Sequence, residues 1–186
     1  MRIRLAAIVC MLLVLTGCKG SGETLDKAVS LRNRILSGNG CSFRTTVTAD
    51  YGEQLYMFQM DCKTDREGNL TFTVVEPVTI AGITGKITGS GGAITFDDKV
   101  LAFQTLADGQ VSPVTAPWLF MKTLRSGYLK DTAITDGGFE ISIDDSYAEQ
   151  SFQLRIRTNN ELPESAEIFW QNRRLLTLAV EDFTYL

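Results

Sequence analysis

The stretch CSFRTTVTADYGEQLYMFQMDC, residues 41–62, decides the fold. Cys41, Phe43, Thr45, Val47 and Ala49 alternate with Ser42, Arg44, Thr46, Thr48 and Asp50. Beyond Tyr51-Gly52, the set Tyr56, Phe58, Met60 and Cys62 alternates with Leu55, Met57, Gln59 and Asp61. Period-two alternation on both sides of a turn signal marks two half-buried strands joined as a β-hairpin. A two-residue turn centred on Tyr51-Gly52 makes partner numbers sum to 103. It sets Phe43 opposite Met60, Val47 opposite Tyr56, and Cys41 opposite Cys62. In non-hydrogen-bonded pairs the Cα atoms lie about 4.5 Å apart, within reach of a disulfide. A three-residue turn ending at Gly52 would shift the sum to 102, set Phe43 against Gln59 and split the cysteines. The side-chain pattern favours 103, and with it a structural Cys41–Cys62 disulfide over a pair of reactive thiols.

Outward from this hairpin the chain stays in period two. Strands are expected at Leu70–Glu76, Ile80–Thr88, Ala93–Phe96 and Val100–Leu106, punctuated by Gly89 to Gly92, Asp97-Asp98 and Asp108-Gly109. More follow at Leu129–Thr135, Phe139–Ile143, Tyr147–Arg157, Ala166–Trp170 and Arg173–Phe183, the last two flanking Gln171-Asn172 as a hairpin. Two helices interrupt the pattern. Leu25, Ala28, Val29, Ile35 and Leu36 fall at helical spacing, with Thr24 as cap and Gly38 as stop. Thr115-Ala-Pro-Trp118 opens a short helix that should end near Gly127, because proline suits a first turn whose N–H has no partner. The sequence thus predicts one antiparallel, mainly β (α+β) domain with two helices.

The N-terminus tells where the domain works. Arg2 and Arg4 precede the apolar run Leu5 to Leu15, which ends on Leu15-Thr16-Gly17-Cys18. Basic residues, a short apolar stretch and small residues before a cysteine form the layout of an export signal. At 11 residues the run is shorter than the roughly 20 needed to span a bilayer. It resembles a bacterial lipoprotein signal, which implies cleavage after Gly17 and lipid on Cys18. Residues 1–17 are then signal peptide, 18–22 a lipidated tether and 23–186 the domain. The protein is expected at the extracytoplasmic face of the cell membrane, held by that lipid. Losing Arg2 and Arg4 moves the net charge from −4 to −6. That balance argues against nucleic acid or an anionic membrane surface as partner.

The composition also narrows the chemistry. The sequence contains no histidine, which removes imidazole-based serine or cysteine catalysis and histidine-containing zinc sites. Asp97-Asp98 and Asp144-Asp145 are the adjacent acidic pairs. Both fall where turns are expected and read as solvated turn residues, since neighbours on a strand point to opposite faces. The glycines from Gly85 to Gly92 lack the lysine-serine ending and following helix of a phosphate loop. No catalytic set, metal site or cofactor is expected, and the protein does not read as an enzyme.

The short helix carries the stronger signal. Trp118, Leu119, Phe120, Met121 and Leu124 cover nearly its whole circumference, so it must be covered on several sides. Two readings stay open: a helix packed as plain core, or a plug that an apolar ligand can displace.

Val74-Val-Glu-Pro-Val-Thr-Ile-Ala-Gly82, the Gly-Gly hairpin and Ala93-Ile-Thr-Phe96, together with the lipidation signal and the mid-chain helix, resemble LolA/LolB-like bacterial lipoproteins, in particular the clostridial germination lipoproteins related to GerS. The resemblance spans roughly residues 23–186. It implies an open, curved antiparallel half-barrel with the N-terminal and mid-chain helices over its concave face. It also implies a lipid or other apolar ligand in that concavity, lined by Phe43, Tyr56, Phe58, Phe72, Trp118, Phe120 and Met121. The alternative is a GerS-like regulator with a filled interior, whose surface binds a cell-wall or germination enzyme.

Overall fold

The computed structural model describes residues 20–50, 54–96, 99–103, 111–148 and 151–186. The signal segment, Cys18, the Tyr51-Gly52 turn, Asp97-Asp98, Leu106 and Asp108-Gly109 lie outside the described residues. Helix α1 (Gly20–Ser37) is followed by strands β1 (Cys41–Asp50), β2 (Leu55–Thr64), β3 (Leu70–Glu76), β4 (Thr84–Thr88), β5 (Gly91–Phe96) and β6 (Lys99–Phe103). Helix α2 (Ala116–Ser126) leads into β7 (Tyr128–Thr135), β8 (Gly138–Asp144), β9 (Phe152–Asn159), β10 (Leu162–Trp170) and β11 (Arg173–Tyr185). The strands form one open antiparallel sheet in the order β6-β5-β4-β3-β2-β1-β11-β10-β9-β8-β7. The chain therefore walks outward from β1 to one edge, crosses to the other edge at β7, and walks back until β11 closes against β1. That single crossing carries α2 over the sheet.

Alternation determines which face is covered. On β1 every odd residue from Cys41 to Ala49 is buried, and the same side continues through Met60, Cys62, Leu70, Phe72 and Ile87 in one direction. In the other it runs through Leu178, Ile168, Leu154, Ile156, Ile141 and Phe139. Ala28, Leu31 and Ile35 of α1 and the apolar residues of α2 complete this single core. The opposite face is polar. There Glu140, Arg155, Arg157, Glu167 and Arg174 form a ladder of ion pairs across β8 to β11, at 2.7–3.5 Å.

One bulge matters for the core. Leu176, Leu178 and Val180 alternate inward, and the next inward position would be Asp182. Instead Asp182 adopts φ +53° and pairing with β1 slips between Ser42 and Arg44. The extra residue turns Phe183 inward, where its ring stacks on Phe43 at 5.8 Å.

The hairpin register differs from the sequence expectation. Phe43 pairs with Cys62, Val47 with Phe58 and Asp50 with Leu55, so partners sum to 105 and four residues separate the paired ends. A slip of two residues leaves every side chain on its expected face, which is why the pattern alone did not reveal it.

Other boundaries move too. Helix α1 starts at Gly20, so residues 20–22 belong to it rather than to a tether. The Thr24 hydroxyl, expected as a cap, lies 2.8 Å from that of Thr132 on β7 and joins helix to sheet. The segment before β4 is a 3₁₀ turn at Val78–Ile80, not strand, and β9 begins at Phe152 rather than Tyr147. Gln171 and Asn172 both have positive φ, as a two-residue hairpin turn requires.

Candidate functional site

The site is the face on which α2 lies. A 3₁₀ turn at Pro113–Thr115, held by the Thr115 hydroxyl donating to Ser112 O at 2.8 Å, feeds the chain into the helix, with Pro117 in its first turn. All residues of α2 except Lys122, Arg125 and Ser126 are buried. Phe120 and Met121 are fully enclosed and Trp118 is 5% exposed. The Phe120 ring meets Phe43 edge-on at 5.9 Å, so Phe43, Phe120 and Phe183 make one aromatic cluster at the helix–sheet contact. Phe183 is the member that sequence reasoning missed; its signal was the broken alternation after Val180.

Polar clasps hold the helix from three sides. Arg32 on α1 donates from Nε to Leu124 O and from Nη2 to Gly127 O, both at 2.8 Å. These bonds satisfy carbonyls that a helix C-terminus leaves open and place a cation at the negative end of the dipole. Burial pulls the Arg32 pKa down from its ordinary value, although a guanidinium stays charged. Lys122 Nζ lies 3.2 Å from Asp145 Oδ2 and 5.7 Å from the centre of the Trp118 ring. Asp145 Oδ1 in turn accepts the Phe152 amide at 2.8 Å. Arg125 Nη2 donates to Arg66 O at 2.8 Å, in the turn between β2 and β3. Gly68 in that turn has φ +87°, and a Cβ there would sit 3.0 Å from Arg125 Nε. The left-handed backbone favours glycine here, and a side chain would press on the arginine.

Six of the seven expected ligand residues come together here. Phe43, Phe72, Trp118, Phe120 and Met121 are all buried in the core, and Phe58 packs on it half-buried. Tyr56 does not join them. It is 47% exposed at the outer end of β2, its hydroxyl donating to Gln54. The Phe72 ring lies flat enough on β4 that a Cβ at Gly85 would stand 2.4 Å from its Cζ.

Cys41 and Cys62 are buried free thiols. The two-residue slip puts Phe43, not Cys41, opposite Cys62, while the Cys41 amide donates to Thr64 Oγ1 at 2.9 Å. Burial raises both thiol pKa values, strongly for Cys62, where Asp61 adds to the effect. The thiolate that reactivity requires is therefore disfavoured at both. The acidic pair Asp144-Asp145 is structural rather than solvated: Asp144 is 3.3 Å from Lys130, and Asp145 holds α2 as described. Among the described residues no group of three metal-ligating side chains comes together, and no helix is long and apolar enough to cross a membrane.

Beside α2 an open groove of about 660 Å³ runs between the end of α1 and the β2–β3 and β4–β5 turns. Leu36 and Trp118 form apolar parts of its wall, and Lys122 and Arg125 line it from the helix.

No protein-family model matches the sequence, nor does any curated protein. Solved structures resemble the fold across nearly their whole length. A DUF1329 family protein from Desulfovibrio piger is 8% identical, with 90% of this chain and 94% of that one covered at a TM-score of 0.50. The LolA superfamily protein NE2245 from Nitrosomonas europaea is 11% identical, covering 90% and 94% at 0.48. The GerS lipoprotein complex with the CwlD amidase from Clostridioides difficile is 14% identical, covering 92% and 99% at 0.41. At such identities the likeness concerns the fold alone.

Proposed function

We propose that this chain is a non-catalytic binding protein of the cell envelope, anchored through lipid on Cys18, whose interior is filled by its own α2 and whose surface engages a protein partner. The observation that carries this reading is the burial of Trp118, Phe120 and Met121 in one continuous core with both halves of the sheet. A helix clasped by Arg32, Asp145 and the Arg66 carbonyl behaves as core, not as a loosely seated plug. Edge strand β6 supports the partner side of the proposal. Val100 and Leu101 are 68% and 67% exposed on opposite faces of the edge, a template on which a partner strand can pair.

The test is to export the domain under a non-acylated signal, purify it, and extract it for bound lipid. No stoichiometric acyl chain is expected, and Trp118 emission should not shift on addition of a long-chain fatty acid. A bound lipid at one per chain, or a saturable shift, overturns the reading of a chain that carries no apolar ligand. It would establish the second reading, favoured by the groove beside α2: an anionic amphiphile lying along Leu36 and Trp118 with its charge near Lys122 and Arg125.

A further inference from the structure

Helix α1 has three faces where an ordinary surface helix has two. Thr24, Ala28, Leu31 and Ile35 are buried against the sheet. Glu23, Asp26, Lys27, Ser30, Asn33, Arg34 and Ser37 form a polar face, on which Lys27 pairs with Glu23 and Arg34 with Glu161. The third face is Leu25, Val29, Arg32 and Leu36, at positions i, i+4, i+7 and i+11, one continuous stripe by helix geometry. Its apolar members are left 45%, 41% and 45% exposed. Arg32 is turned away from solvent to bond the end of α2 at Gly127 O. The next residue, Tyr128, is 49% exposed, and its ring lies 5.2 Å from that of Tyr147, tilted by 48°; Tyr147 is itself 87% exposed. An apolar stripe flanked by two aromatic hydroxyl-bearing rings thus runs along one side of the domain.

Cys18 lies two positions before Gly20, where α1 begins, a span of at most about 7 Å. A lipid on Cys18 holds the start of this helix at the bilayer surface with almost no slack. We propose that the stripe Leu25–Val29–Leu36, with Tyr128 and Tyr147 beside it, lies in the membrane interface, so that α1 rests along the bilayer and fixes the orientation of the domain. This rests on the lipid anchor of the proposed function. Interfacial helices sink their apolar side into the headgroup boundary, and tyrosine rings favour that zone. The contact is apolar: Lys27 and Arg34 are spent on Glu23 and Glu161, and the chain is acidic. Leu36 also lines the groove beside α2, so the groove opens next to the lipid surface.

The test uses the full lipidated chain in phosphatidylcholine liposomes whose acyl chains carry bromines near the carbonyl end. Val29→Trp reports the stripe and Ser30→Trp the polar face, each read against the parent chain. With an apolar face sunk roughly 5–10 Å into the interface, quenching at position 29 should exceed that at position 30 by at least about threefold. It should be unchanged by high salt and fall to the position-30 level when Leu25→Gln and Leu36→Gln are added. Equal quenching at both positions, or quenching that salt abolishes, overturns the proposal while flotation with the liposomes leaves the anchor standing. A chain that does not float overturns the anchor and this inference together.

Discussion

Truncating Phe120 should reveal whether α2 is core. Its side chain is fully enclosed and meets Phe43 edge-on at 5.9 Å, at the contact between helix and sheet. Phe120→Ala removes the ring's transfer energy and leaves a cavity, a combination that costs about 3–5 kcal/mol. The lost edge-to-face pair accounts for about 1 kcal/mol of that. Against a total stability of about 5–15 kcal/mol this is a large fraction. With a urea dependence of about 2 kcal/mol per molar, the midpoint should fall by about 2 M. The assay is equilibrium urea unfolding of the non-acylated domain, followed by circular dichroism. Leu25→Ala, on the exposed stripe, serves as control and should stay within about 0.5 kcal/mol of the parent. A Phe120→Ala cost below about 1 kcal/mol would refute the reasoning, because it would mean the helix is released from the face more cheaply than its burial implies.

Cys18→Ala should abolish membrane association, and fractionation showing the variant still firmly bound would reject the lipoprotein assignment. Cys41 and Cys62 should resist alkylation in the folded protein. Their pKa values are raised by burial, so above about pH 9 the unfolded chain loses thiol protons that the folded chain keeps. The thiols' contribution should therefore be level up to that pH and fall above it, and burial of Tyr185 adds the same sign at higher pH. Rapid alkylation, or a midpoint that stays flat above pH 9, would contradict this. Gly85→Ala drives a methyl to 2.4 Å from the buried Phe72 ring and should cost about 1–3 kcal/mol by overpacking, read as a shifted urea midpoint.

What was legible in the sequence depended on parity. Alternation in 41–62 assigned each side chain to its face correctly, because faces depend on odd and even positions. Register depends on loop length, and a slip of two residues changes partners without changing faces. That slip separated Cys41 from Cys62 while leaving both in the core. The all-round apolar character of 118–124 marked α2 as a covered helix, and so it is. Its clasps were not readable: Arg32, Asp145 and Arg66 are 92, 23 and 59 positions from their partners on α2, and no local pattern links them. Tyr56 shared the apolar alternation of β2 but lies at the strand end, outside the core that Met60 belongs to and Phe58 packs against. The third face of α1 was hidden because Leu25, Val29 and Leu36 read as part of one apolar stripe with Ala28 and Ile35.

The central claim, that α2 fills the interior as permanent core, is tested most directly by native-state hydrogen exchange of the amides of residues 116–126, with and without a long-chain fatty acid. Protection should match that of β1 and β11 and stay unchanged when the fatty acid is added. Exchange of α2 much faster than that of the sheet, or loss of its protection on adding the fatty acid, would contradict the account.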